Sequence, residues 1–261
     1  MMKQIAETVN VFFEDYTRKQ LAGKDVRVAD SLQLKKDHSL RVARLSLQLA
    51  QKLKLDENGC ELARIIGLLH DLGRFQQFEI YKTFDDTKSE DHAALSVSVL
   101  KEQDFFTGWP EPVQQLVTQV IELHNKAVAT SSDDQVSQFS KILRDADKLD
   151  IWEICVSQMK RDGSFLLPSI SYGLPNTPGV SELVIKALRA GKPVLKKDLH
   201  SVNDFKLFLL AMVYDLNFKD SFQLLNEKQL TQKIYDTLPK RDDVIEVYRQ
   251  IRLFVENKFV A

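Results

Sequence analysis

The chain has 261 residues, 44% of them hydrophobic and 28% charged, with 36 Lys and Arg against 37 Asp and Glu. This composition is typical of a globular protein with one large domain or two small ones, and a net charge of -1 lacks the basic excess that duplex nucleic acid attracts. No stretch approaches the roughly 18 to 20 apolar residues of a membrane span, so we expect no membrane partner.

Two sequence features bear on the cellular compartment. Residues 1–14 carry Lys3 and Glu7 among their apolar residues, unlike the unbroken apolar core of a signal peptide. Cys60 and Cys155 lie far apart and form no CxxC pair. We therefore expect a cytoplasmic protein with reduced, structural thiols.

Apolar residues recur at helical spacing in nearly every segment, and alternating strand patterns are missing, which predicts an all-α fold. The first apolar stripe runs from Ile5 to Tyr16. Asp37 is expected to cap the second helix, whose apolar face includes Val42 and Leu49. Further helices are predicted at about residues 61–70, 92–103, 112–124 and 135–159.

Residues 163–179 are rich in glycine and proline, which predicts a long connector. Such a segment is either a lid over a site or a surface crossover between two helical parts, and the second is the more common. Helices are predicted again at residues 181–189, 202–214, 218–225, 230–238 and 244–254.

Four of the five histidines lie where a predicted helix presents its apolar side. A single histidine in such a position is more often a hydrogen-bonded core residue than a ligand. Four together favour a shared metal ion, because each buried imidazole needs partners for both nitrogens and a metal serves several rings at once. The four are His38, His70, His92 and His124.

Two aspartates share this apolar environment. Asp71 directly follows His70 at the end of an apolar run, where a carboxylate is costly to bury unless a cation or strong donors contact it. Asp147 falls on the apolar side of the helix predicted at 135–159. The other acidic residues of 144–150 fit a solvated face with charge pairing.

Taken in order, His38, the His70-Asp71 pair and Asp147 resemble the His…His-Asp…Asp signature of the HD-domain superfamily of metal-dependent phosphohydrolases. The resemblance covers about residues 37–152 and extends to the residues around each motif. It implies an HD-domain helical bundle, to which the pattern of the following sequence adds C-terminal helices. The chain is then a single all-α domain, 1–261, with a metal-binding core at about 37–152 and a C-terminal helical extension at about 180–258.

Superfamily members with two metals add two histidines between the His-Asp pair and the last aspartate, and His92 and His124 occupy those places. The resemblance implies one or two divalent ions, with Asp71 bridging them. Six nitrogen and oxygen ligands suit iron, manganese, nickel or cobalt better than a closed tetrahedral zinc site, and magnesium is a further possibility. The first ion would be held by His38, His70, Asp71 and Asp147, and the second by Asp71, His92 and His124.

The activity implied by the resemblance is hydrolysis of a small phosphorylated substrate, such as a nucleotide, by a metal-activated water, with Asp71 at the catalytic centre. Arg74 and Lys148 are the candidates for phosphate contacts, unless they are simply solvated or, for Arg74, form a salt bridge to a local carboxylate. Asn125 and Lys126 are weaker candidates. The polar stretch 83–91 lines the mouth of the site or is a solvated loop, and His200 is expected to be structural or exposed.

Two known branches of the superfamily fit poorly. The Gly-Tyr-Pro motif of the cyclic-di-GMP phosphodiesterases does not follow His124, and the Glu-Asp pair of the guanosine-tetraphosphate hydrolases does not follow Asp71. The sequence leaves three alternatives open. They are a di-iron oxygenase centre of the same fold, a non-catalytic regulatory HD module, and an unrelated helical protein in which the histidines are core residues.

Overall fold

A computed structural model describes residues 2–126 and 131–260, with only the backbone for residues 259 and 260. Within these ranges the regular elements are helices, and one isolated β-bridge joins Met159 and Phe165. The predicted all-α fold is confirmed. No helix in the described ranges combines the length and apolarity that crossing a membrane requires.

The chain divides into two compact units, Met1–Asp147 and Lys148–Ala261. The division falls within one long helix that contributes to both. The single domain expected over 1–261, with its core at 37–152 and its extension at 180–258, stays a prediction. Each unit buries one of the two cysteines, Cys60 in the first and Cys155 in the second.

The first unit is built from six helices and most of a seventh. A short 3-10 helix, Asp86–Lys88, lies between the fourth and fifth. The helices are α1 (Met2–Leu21), α2 (Val26–Lys52), α3 (Glu57–Leu69), α4 (Gly73–Tyr81), α5 (His92–Glu102), α6 (Glu111–Leu123) and α7 (Asp134–Ser157).

The prediction that Asp37 caps the second helix is wrong. Helix α2 begins at Val26, and the carboxylate of Asp25 accepts hydrogen bonds from two first-turn N–H groups at 3.1 and 3.2 Å. Asp37 lies within the helix and accepts a hydrogen bond from Gln33 Nε2 at 2.9 Å. The break between α1 and α2 is only a few residues long because Gly23, at φ +71°, reverses the chain there.

Helix α4 was not predicted from the sequence. Its apolar residues Phe75 and Phe78 join Leu32 and Phe84 in one buried cluster. The polar residues Arg74 and Gln77 of the same helix are buried as well. A helix that buries polar and apolar residues together lacks the one-sided pattern by which helices are recognised in a sequence.

Helices α2 and α3 approach closely at Gly67. A Cβ atom at this position would lie 2.8 Å from Ser46 Oγ and 3.0 Å from Ala43 Cα on α2. The close approach brings the C-terminal end of α3, which carries His70, against the part of α2 that carries His38.

The second unit contains the end of α7 and five further helices, close to the predicted positions. Short 3-10 helices occur at Pro168–Ser171, Lys196–Asp198 and Met212–Asp215. The further helices are α8 (Glu182–Arg189), α9 (Val202–Ala211), α10 (Lys219–Glu227), α11 (Leu230–Asp236) and α12 (Asp242–Val260).

The connector 163–179 is fastened to the start of α9. The Val202 N–H donates to the Pro175 carbonyl at 3.0 Å, and Asn203 Nδ2 donates to the Thr177 carbonyl at 3.0 Å. These hydrogen bonds favour a surface crossover and argue against a lid.

Candidate metal centre

The first unit brings the four histidines and two aspartates into one cluster. The four histidines and Asp71 are between 0 and 5% exposed, and the side chain of Asp147 is 20% exposed. Each lies on a helix or within two residues of a helix end. They are His38 on α2, His70 and Asp71 at the end of α3, His92 at the start of α5, His124 at the end of α6 and Asp147 on α7.

Asp71 lies at the centre, with a different histidine pair at each carboxylate oxygen. Oδ2 is 3.5 Å from His38 Nε2 and 3.7 Å from His70 Nε2. Oδ1 is 3.5 Å from His92 Nε2 and 4.0 Å from His124 Nε2. The cluster therefore consists of two groups able to hold a metal ion, and both include Asp71.

Asp147 joins the first of these groups. Its Oδ1 is 3.1 Å from His38 Nε2 and 3.7 Å from His70 Nε2. Burial alone would raise the pKa of this carboxyl, but the two imidazoles beside it lower the pKa well below its usual value. Asp147 is therefore a carboxylate at neutral pH.

Three of the imidazoles are oriented through Nδ1. His70 Nδ1 lies 2.8 Å from the Gly67 carbonyl and His124 Nδ1 lies 2.6 Å from the Ile121 carbonyl. His92 Nδ1 lies 2.7 Å from a carboxylate oxygen of Asp86. Since these oxygens can only accept, we assign a proton to Nδ1 of each ring, which in a neutral ring leaves the lone pair on Nε2, facing the cluster.

The inward-facing nitrogens fit a metal ion. His92 Nε2 and His124 Nε2 are 3.0 Å apart, a distance at which two lone pairs repel each other unless a cation or a shared proton lies between them. The buried Nε2 of His70 has no hydrogen-bond partner among the described residues. A divalent ion with nitrogen and oxygen ligands would satisfy both sets of atoms.

Burial also keeps two of these rings neutral. It lowers the pKa of His92 to about 4 and that of His124 to about 3. Their lone pairs are therefore available at neutral pH, as metal ligation requires.

A cation that was not predicted from the sequence also contacts the cluster. Lys35 Nζ lies 2.8 Å from Asp71 Oδ2. Burial would raise the pKa of Asp71, but Lys35, followed by His70, Arg74 and His92, lowers it well below the usual value. Lys35 precedes His38 by three residues on α2, which places the two on one face, and this spacing is the signal that could have found it.

Arg74, a predicted phosphate contact, is 8% exposed and bound to protein groups. One of its terminal nitrogens lies 2.7 Å from Gln77 Oε1, 2.6 Å from the Phe84 carbonyl and 3.0 Å from Asp86 Oδ1. Its Nε lies 3.5 Å from Asp71 Oδ1. These contacts favour the alternative of a salt bridge to local carboxylates.

Lys148, the second predicted phosphate contact, follows Asp147 on α7 and belongs to the second unit. Its Nζ lies 2.8 Å from Asp215 Oδ2. Lys148 is therefore an ion-pair partner rather than the solvated side chain expected as the alternative, and a role in phosphate binding stays a prediction. His200 is exposed, in agreement with its expected role.

The polar stretch 83–91 is not a simple solvated loop, and its position at the mouth of the site stays a prediction. Asp86 contacts His92, and Asp91 accepts a hydrogen bond from Asn125 at 2.7 Å and pairs with Lys126. Asn125 and Lys126 are thereby tied to this stretch. Residues 127–130, which follow them, lie outside the described residues.

An all-α fold in which four histidines surround the buried carboxylate of Asp71, with Asp147 beside two of them, defines a candidate metal-binding helical protein. Residues 36–152 match the family model of the HD domain, and this range includes all six clustered residues. The match confirms the resemblance to the HD-domain superfamily noted in the sequence. No significant match was found among curated proteins or among solved structures.

Proposed function

We propose that the protein is a metal-dependent phosphohydrolase that cleaves a phosphate ester or a nucleotide-like phosphoester. The observation that carries the proposal is the position of Asp71, whose two oxygens face two different histidine pairs inside an HD domain. HD domains are commonly metal-dependent hydrolases. The complete set of six residues argues against a regulatory module that has lost its ligands.

The residues suit two divalent ions. His38, His70, Asp71 and Asp147 would hold the first, and Asp71, His92 and His124 the second. Mixed nitrogen and oxygen ligands favour iron, manganese, nickel or cobalt over magnesium, which prefers oxygen ligands. When bound, such ions lower the pKa of a water molecule and neutralise charge on phosphoryl oxygens.

The protein itself provides the ionised carboxylate of Asp71 between the two groups of ligands, the neutral imidazoles of His92 and His124, and the ammonium group of Lys35. Asp71 is held as a carboxylate by the positive groups around it. Lys35 is the best-placed candidate for a phosphoryl contact, because its side chain reaches the cluster and is still 16% exposed. Arg74 and Lys148, by comparison, are paired with Asp86 and Asp215.

The expected substrate is a small phosphorylated molecule. A net charge of -1 gives no general attraction to duplex nucleic acid, so local cations such as Lys35 have to recognise the phosphate. The buried thiols of Cys60 and Cys155 support the proposed cytoplasmic location.

The proposal is tested by assaying an aryl phosphodiester and an aryl phosphomonoester with Mn²⁺, Ni²⁺, Co²⁺, Fe²⁺ or Mg²⁺. We expect metal-supported hydrolysis that the Asp71→Asn variant lacks and the Asp37→Asn variant keeps. Absence of hydrolysis with every metal would overturn the proposal. Two bound irons with oxygen-dependent oxidation and no hydrolysis would identify the oxygenase alternative instead.

A further inference from the structure

A carboxylate outside the six-residue cluster contacts one of its histidines. Asp86 begins the 3-10 helix Asp86–Lys88, and its Oδ2 lies 2.7 Å from His92 Nδ1. His92 is only 4% exposed, so its ring cannot exchange this contact for water without moving. For His92, Asp86 takes the place that backbone carbonyls take for His70 and His124.

The other oxygen of Asp86 is held by two donors from α4. Arg74 donates to Oδ1 at 3.0 Å and Gln77 Nε2 donates to the same atom at 2.8 Å. Gln77 is fully buried, and its Oε1 accepts a hydrogen bond from Arg74 at 2.7 Å. The carboxylate plane is thereby fixed, with Oδ2 facing His92. Asn125 Nδ2 lies 3.5 Å from Oδ2, at the limit of a hydrogen bond.

Arg74 connects this arrangement to the centre of the cluster. Its Nε, buried and without a hydrogen bond, lies 3.5 Å from Asp71 Oδ1. The same side chain therefore contacts Asp71, which both groups of ligands share, and Asp86, which orients His92.

We propose that Asp86 is a positioning residue, which together with Arg74 and Gln77 holds His92 with its proton on Nδ1 and its lone pair toward Asp71 and His124. The consequence for metal binding rests on the proposed function, since it assumes that the cluster takes up ions. In this arrangement Arg74 holds Asp86, and Asp86 holds His92 in the second group of ligands, which is Asp71, His92 and His124. Partners of this kind set the ring nitrogen available to a metal, and losing one costs about 10- to 100-fold in metal affinity.

The variant Asp86→Asn tests this proposal because the fixed donors dictate how an amide must sit. Arg74 and Gln77 both donate toward Oδ1, so the amide oxygen will stay with them and the NH₂ group will face His92 Nδ1. An NH₂ group can only donate. The His92 proton should therefore move to Nε2, the atom that the second ion requires.

The first measurement is the His92 tautomer in the metal-free protein, by long-range ¹H–¹⁵N correlation. We expect an Nδ1 proton in the parent chain and an Nε2 proton in Asp86→Asn. Asp85→Asn is the matched control, because Asp85 lies in the same turn and binds Thr87 instead. An unchanged His92 tautomer in a folded Asp86→Asn variant would overturn the proposal.

The second measurement is calorimetric titration with Mn²⁺ or Co²⁺. The weaker of two binding events should lose about 10- to 100-fold in affinity in Asp86→Asn, while the event at His38 and His70 stays unchanged. Equal loss in both events would mean a general structural role and would overturn the proposal. The tautomer is independent of hydrolysis, so a chain that shows the switch but hydrolyses nothing would contradict the proposed function alone.

Discussion

Lys35 Nζ lies 2.8 Å from Asp71 Oδ2, so the carboxylate shared by both groups of ligands is also the partner of a lysine. A buried carboxylate is costly unless cations or donors compensate it. Lys35 is the first of the groups that lower the pKa of Asp71. The ion pair therefore keeps Asp71 ionised, as a ligand of a divalent cation must be, and places an ammonium group beside the proposed metal site.

Replacing Lys35 by methionine should impair substrate binding more than metal binding. The change preserves most of the side-chain length and removes the charge that a phosphoryl oxygen would contact. We expect kcat/KM for the aryl phosphate to fall about 10- to 100-fold, through KM, with the metal content unchanged. Lys36→Met is the control, since Lys36 pairs with Glu14 on α1. Equal activity of the two variants would exclude Lys35 from substrate recognition.

Replacing Asp71 by asparagine should remove metal and activity together. The amide keeps the size of the side chain but cannot supply two anionic oxygens to two ions. We expect metal content near zero and a loss of at least about 10³-fold in kcat. The change is measured by elemental analysis and by the phosphodiester assay, with Asp37→Asn as the control. An Asp71→Asn variant that retains metal would contradict the bridging role.

The close approach of α2 and α3 predicts a specific effect on stability. In Gly67→Ala, the new Cβ would lie 3.0 Å from both the Ala43 Cα and the Val42 carbonyl oxygen, backbone atoms that can give way only if the helices separate. We expect the free energy of unfolding in urea to fall by about 1–3 kcal/mol. Gly179→Ala is the control because a Cβ there meets no atom within 4 Å. Equal stabilities of the two variants would show that α2 and α3 adjust without cost.

Lys206 on α9 predicts a dependence of stability on pH. The residue is 1% exposed, and burial lowers its pKa from 10.5 to about 8, although Asp162 opposes the shift. Between these values the unfolded chain binds more protons than the folded chain, so stability should rise as the pH increases from about 8 to about 10.5.

Comparison with Lys206→Met isolates this contribution. The variant should lack the rise and should be more stable than the parent chain at pH 7, by a few degrees in Tm. Lys197→Met, at an exposed position, should follow the parent chain at every pH. The Tm of each protein is measured by thermal unfolding across this pH range. Parallel curves of Tm against pH for Lys206→Met and the parent chain would refute the expectation.

The helical fold and the convergence of the six clustered residues were predictable because both depend on local pattern. His38, His70 and Asp147 fall on apolar helix faces, and such faces have to meet in a core. Their order along the chain then identified the HD domain, which the family match confirms. Asp71 was identified by its place at the end of an apolar run.

The supporting residues could not be predicted in the same way. Asp86 has ordinary neighbours in the sequence, and Lys35 offers only its spacing of three residues from His38; both roles are defined by contacts, with Asp71 and with His92. Arg74 was identified as a charge near the site, but only its contacts show that it faces Asp86. Helix α4 was not predicted because it buries polar residues together with apolar ones. The predicted cap at Asp37 was wrong because α2 begins earlier, at Val26.

The most direct test of the central claim is the number of metal ions per chain, counted by elemental analysis after purification without chelators. Two groups that share Asp71 predict about two ions in the parent chain and about one in His124→Ala, while His200→Ala keeps two. A parent chain that binds no metal, or a His124→Ala variant with unchanged stoichiometry, would contradict a two-ion centre bridged by Asp71.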